Sequence, residues 1–170
     1  MSQSFSYSVG TRLKTDAVWQ LFVNVKMWSH ISHVYDDLAW VGDPWLVGSS
    51  ITGRLIYPVA MPFRYLIRDV KHLSLIRYLA HSAEIGFATE RTITFEQLKG
   101  STLIRVGAYA VGTCNCTISG GTRGFLKAIT ENWFLDFARV CDDEASLHEV
   151  PKHGVPSFLP ERFEQIWRRL

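Results

Sequence analysis

The chain predicts an α+β fold in which an antiparallel sheet packs against a long amphipathic helix. Three observations point there. From Asp37 to Thr113 the residues read as period-two strand segments separated by turn signals. One strand and a helical pair precede that stretch, and a longer helical pattern follows it. At 170 residues, 47% hydrophobic and 20% charged, the chain suits one domain with a continuous core.

The elements follow in order. Phe5, Tyr7, Val9, Thr11 and Leu13 alternate with Ser6, Ser8, Gly10 and Arg12, a strand with one wet face. Thr15 is placed to cap a helix, and Asp16 suits its positive end. Val18, Leu21, Phe22, Val25 and Trp28 give that helix an apolar stripe, and a short second piece runs through His30 to His33. Strands are predicted at Asp37–Val41, Ser49–Tyr57, Phe63–Val70, Ser74–His81, Ile85–Gln97 and Thr102–Thr113. Gly42-Asp43-Pro44 and Lys99-Gly100-Ser101 are turn signals between them.

A second long helix is predicted from Thr122 to Asp143. Phe125, Ile129, Trp133, Phe137 and Val140 form a ridge that Leu126, Phe134, Ala138 and Cys141 widen, so it should lie on a sheet. Asp142-Asp143-Glu144 sit at its negative end, which calls for solvent or a basic neighbour. Residues 146–170 read as an extension of the 1–145 domain: an irregular stretch from Ser146 to Leu159, then a short helix opened by Pro160 with Phe163, Ile166, Trp167 and Leu170 on one face. That face is expected to pack on its own fold first, and otherwise on a second copy as a homodimer contact.

Charge excludes some partners. The formal net charge is +2, and eight basic and four acidic residues between Ser49 and Thr113 read as a solvated outer sheet face, so no nucleic-acid partner is expected. No apolar run is long enough for an integral membrane span. Three cysteines and no signal-like start make a reducing cytoplasm the simplest compartment. Cys114-Asn-Cys116 lacks a second ligand pair, and His30 and His33 lack a third ligand, so no metal and no cofactor is expected. No phosphate-cradling glycine motif or nucleophile elbow is present.

Phe5-Ser-Tyr-Ser-Val9 followed by Thr15-Asp-Ala-Val-Trp19, Trp28 near the helix end, Trp45-Leu-Val-Gly48-Ser49 and the Phe125–Cys141 helix resemble the SRPBCC superfamily. That superfamily includes START domains, polyketide cyclase/dehydrase-like proteins and pollen allergens. The resemblance covers about residues 3–145. It implies the helix-grip fold: a seven-stranded curved antiparallel sheet around a long C-terminal helix, with two short helices after the first strand. It also implies an internal cavity for a lipid, polyketide or quinone type of molecule.

Arg91 is the sharpest candidate for chemistry. It shares a predicted strand face with Ile85, Phe87 and Phe95, where a guanidinium must find a carboxylate, a carbonyl or a ligand anion. Tyr57, Tyr65, Tyr78 and Tyr109 are expected on strands, where a buried phenol can orient a ligand oxygen. Tyr65 shares a predicted face with Phe63, Ile67 and Asp69, and Asp69 is placed as a base near the cavity mouth. The expected ligand-binding set is Tyr57, Tyr65, Phe87, Arg91, Phe95, Phe125, Ile129 and Trp133. The leading reading is binding or carriage of an apolar or amphipathic small molecule. The alternative is a polyketide cyclase/dehydrase-type enzyme using Arg91, Tyr65 or Tyr109, and Asp69 or His81. Large residues filling the interior would instead support a protein-interaction domain.

Overall fold

The computed structural model describes residues 4–82, 87–111 and 120–148. Its elements are β1 (Ser4–Thr11), α1 (Thr15–Val23), a single 3₁₀ turn (Val25–Met27), α2 (Trp28–Ile31), β2 (Tyr35–Val41), β3 (Ser50–Leu55), β4 (Met61–Lys71), β5 (Leu75–Ser82), β6 (Phe87–Leu98), β7 (Ser101–Val111) and α3 (Gly120–His148). The seven strands form one antiparallel sheet in the order β1-β7-β6-β5-β4-β3-β2. The strands after α2 are joined to their sequence neighbours, and β1 closes the sheet by pairing with β7.

Period-two alternation builds the sheet's inner face. Thr89, Arg91, Ile93 and Phe95 of β6 are buried, as are Phe63, Tyr65 and Ile67 of β4. Against them lie Leu126, Ile129, Trp133, Phe134, Phe137 and Cys141 of α3. Phe22 of α1 enters the same core and meets the rings of Phe95 at 5.3 Å, Trp133 at 5.8 Å and Phe137 at 5.7 Å. Trp28 is buried, and its indole N–H donates to the Phe22 carbonyl at 2.9 Å. Glycine is required at Gly53 of β3, where an added Cβ would stand 2.9 Å from the Asp36 carbonyl oxygen and 3.0 Å from the Phe63 ring.

Several boundaries differ from the sequence reading. The N-terminal helix stops at Val23, and Lys14, not Thr15, occupies its N-cap. Thr15 is drawn away by tertiary bonds: its hydroxyl meets that of Thr102 at 3.0 Å, and its N–H donates to Gln97 Oε1 at 3.0 Å. β3 ends at Leu55, two residues short of Tyr57. α3 extends past Asp143 to His148, so residues 146–148 are its last turn rather than irregular. Ile85, Cys114, Cys116 and the tail from residue 149 lie outside the described residues.

The acidic C-terminal end of α3 does have a basic neighbour. Asp142 Oδ1 accepts from Thr11 Oγ1 and from the Arg12 N–H, both at 2.8 Å, and Arg12 Nη2 donates to the Ser146 hydroxyl at 2.7 Å. These bonds clasp the helix end to the end of β1. Asp142→Ala leaves Thr11 Oγ1 and the Arg12 N–H without their acceptor. It is expected to lower the unfolding free energy by about 1–3 kcal/mol in urea titrations; an unchanged midpoint would show the clasp to be energetically idle.

Candidate functional site

A small recess lies where β3 finishes, β4 begins and α3 starts. Its sheet wall is Leu55, Phe63, Tyr65, Ala80 and Thr89, and Phe125, Leu126 and Ile129 of α3 form the other wall. Arg91 completes it as the charged group in an apolar lining. The cavity is about 30 Å³, room for little more than a water or two.

Arg91 is held in place by its strand. β6 pairs it with Tyr78 on one side and Ala108 on the other, and its side chain is 2% exposed. The guanidinium carbon stands 5.9 Å from the centroid of the Tyr65 ring, within cation–π range. Tyr65 stacks on Tyr78 at 4.5 Å, and its hydroxyl meets that of Tyr35 at 3.0 Å. Among the described residues, Nε has no hydrogen-bond partner and no carboxylate pairs with Arg91. A buried charge without a counterion carries a desolvation cost of several kcal/mol.

Electrostatics in this cluster follow from burial. Burial alone would lower the Arg91 pKa, but the phenols of Tyr65, Tyr78 and Tyr35 outweigh it and keep the guanidinium charged. Burial pushes the Tyr35 phenol well above its ordinary value, with Tyr65 and Tyr78 adding to the rise. Burial also raises Tyr78, against the opposing pull of Arg91.

The structure brings only part of the expected set together. Arg91, Tyr65, Phe125 and Ile129 line the recess. Phe95 and Trp133 are buried deeper: Phe95 packs on Trp19 at 5.4 Å, and Trp133 on Trp28 at 5.4 Å and Phe137 at 4.9 Å. Tyr57 lies beyond the end of β3, is 37% exposed, and faces His33. Tyr109 points to the outer face, where its hydroxyl donates to Glu90, which also pairs with Arg77. Asp69 does not share the face of Tyr65, because a register shift between Ile67 and Asp69 reverses the alternation and sets Asp69 opposite Arg77. His81 reaches the rim, but its pairing with the exposed Arg64 turns its side chain outward. Of Phe87 only the backbone position at the start of β6 is described.

Sequence reasoning missed Leu55, Phe63, Ala80, Thr89 and Leu126 as parts of the lining, and Tyr35 as the partner of Tyr65. Thr89 was readable, since it falls two residues before Arg91 on one strand. Tyr35 was hidden by the positive φ of 51° at Asp37 and the irregular pairing between Asp36 and Ala39.

No protein-family model matches the chain, and no curated protein matches it. Solved structures do. Ara h 8.0201 superposes with a TM-score of 0.71 at 10% identity, over 83% of this chain and 98% of that one. The Zhui aromatase/cyclase from Streptomyces sp. R1128 gives 0.67 at 14% identity, over 91% and 100%. A START superfamily protein from Mycobacterium smegmatis gives 0.60 at 10% identity, over 85% and 98%. The chain has the helix-grip fold. These likenesses bear out the fold that the resemblance implies. Within this helix-grip sheet the seven-strand order and the closing helix match the architecture that the resemblance implies. Among the described residues, no helix is long and apolar enough to cross a membrane.

The raised phenols make alkaline stability a test of the cluster. Unfolded tyrosine ionises near about pH 10. Above that pH the unfolded chain releases protons that folded Tyr35 and Tyr78 retain, so their contribution is complete below about pH 10 and declines as pH rises further. The melting temperature of Tyr35→Phe should therefore fall less steeply between about pH 9 and 11 than that of the native chain. Parallel slopes would contradict the burial of that phenol.

Proposed function

We propose that the chain binds an apolar or amphipathic small molecule in the recess between the sheet and α3. One observation carries this reading: apolar walls from β3, β4 and α3 converge on a single buried cation, Arg91. Binding sites are built that way, mostly apolar with a few placed polar groups. The fold adds an analogy, since one of its structures is an aromatase/cyclase, and fold-level analogy alone does not assign activity.

Size constrains the reading. The cavity of about 30 Å³ is far below the 300–1,000 Å³ of sites that swallow a drug-sized molecule. The ligand therefore enters by one end, and the rest of it lies against exposed apolar surface such as half-buried Phe125. The enzyme reading is less well supported, because Asp69 and Tyr109 face away from Arg91 and Tyr65.

Native mass spectrometry of the purified chain should show an added mass that leaves on denaturation, and the same spectrum reads monomer or dimer. Titration with 1-decanol, whose end is small enough to enter the recess, is the site-directed check. Ala80→Leu adds bulk to the recess wall at a half-buried position. It should weaken decanol binding about tenfold, ~1.4 kcal/mol, with the circular dichroism spectrum unchanged. Equal affinity in a folded Ala80→Leu would place any binding elsewhere.

A further inference from the structure

The recess's cation has no carboxylate partner among the described residues, and further hydrogen-bond donors stand near it. Arg91 brings a planar fork of N–H donors, and Nε finds no acceptor among the described residues. Tyr78 stands opposite Arg91 across the β5–β6 ladder and carries an O–H that can donate. In the Tyr35–Tyr65 pair one hydroxyl donates to the other, so one further O–H remains. A guanidinium and two phenolic O–H groups thus stand together, and among the described residues no carboxylate answers them.

Of the three partners open to an inward arginine, the described structure supplies neither a carboxylate pair nor an acceptor for Nε. We infer that the ligand is a monoanion whose carboxylate head enters the recess and pairs with Arg91. This rests on the small-molecule reading above and names the ligand's chemistry. Charge count favours one negative charge: Arg91 is the single cation buried in the lining, and His81 turns its side chain outward. Geometry favours a carboxylate, because its two oxygens match the guanidinium fork. Size favours a compact head, since about 30 Å³ admits a carboxylate group but not the chain attached to it.

The experiment compares decanoate, 1-decanol and excess acetate on the native chain and on Arg91→Met, by calorimetric titration and by thermal melting. The native chain should bind decanoate at least about tenfold more tightly than decanol, because only decanoate supplies the missing counterion. Arg91→Met should bind the two alike and, without ligand, should melt no lower than the native chain, since an unpaired buried charge has been removed. Equal binding of decanol and decanoate by the native chain overturns the carboxylate assignment and leaves the apolar recess standing. Acetate that raises the native melting point but not that of Arg91→Met, with neither decyl compound bound, keeps the anion site and overturns the apolar reading. No response to any of the three overturns both. An Arg91→Met chain that melts well below the native one makes Arg91 a structural cation and overturns the inference.

Discussion

Phe22 is the contact on which the interior depends. It sits on α1, a helix of nine residues, too short to be stable without tertiary packing. Its ring meets those of Trp28, Trp45, Phe95, Trp133, Phe134 and Phe137, with centroids between 5.3 and 6.2 Å away. One side chain therefore joins the helical pair, the β2–β3 connection, the sheet and α3. Aromatic pairs at these separations add to the area they bury, and the result is a solid core at that end. The recess is left to the other end, where the first turns of α3 meet Leu55, Phe63 and Ala80. The internal cavity that the resemblance implies corresponds, among the described residues, to this small pocket.

Within that packing Arg91 is an exception to the rule that builds β6. The strand's inner face carries Thr89, Ile93 and Phe95, and a hydrophobic residue at 91 would bury cleanly. Instead a cation stands there over the Tyr65 ring, opposite Tyr78 on the next strand, with no charge of opposite sign paired to it among the described residues. Such an arrangement is tolerated only where neighbours over-determine it, and it recurs at functional sites. The contrast with Arg77 is direct. It stands on the outer face of β5, half-exposed, with Glu90 at 3.5 Å. Nε of both arginines is buried without a hydrogen bond among the described residues; what separates them is that Arg77 has a carboxylate within ion-pair distance and Arg91 has none.

How much was legible followed from how regular each segment is. The long alternation of β6 placed Arg91, Phe95 and their face correctly, because twelve residues of period two leave no doubt about parity. The apolar ridge of α3 was equally clear, and it positioned Phe125 and Ile129. Asp69 was misplaced because one extra residue after Ile67 inverts every later side chain, and no letter in Ile67-Arg68-Asp69 announces it. Tyr57 was misplaced because β3 stops at Leu55, two residues before it. Tyr109 was on the predicted strand but on the other face, drawn there by pairing opposite Glu90. Depth was the other missing quantity: Trp133 and Phe95 face inward as read, yet meet other rings rather than the recess.

A filled core changes where discrimination must come from. Apolar burial contributes about 25 cal/mol for each Å² removed from water. A recess of about 30 Å³ encloses too little surface for that term to select among ligands. What it does enclose is a desolvated charge, and a site with an unanswered polar group rejects an analogue that cannot answer it far more strongly than an apolar pocket rejects a change of one methylene. On the proposed small-molecule reading, selectivity should accordingly follow the ligand's head group and be tolerant of its tail. The fold supplies the rigid frame, with Phe22 and its partners fixing α3 against the sheet; the chemistry is concentrated at a single residue that the frame holds out of water.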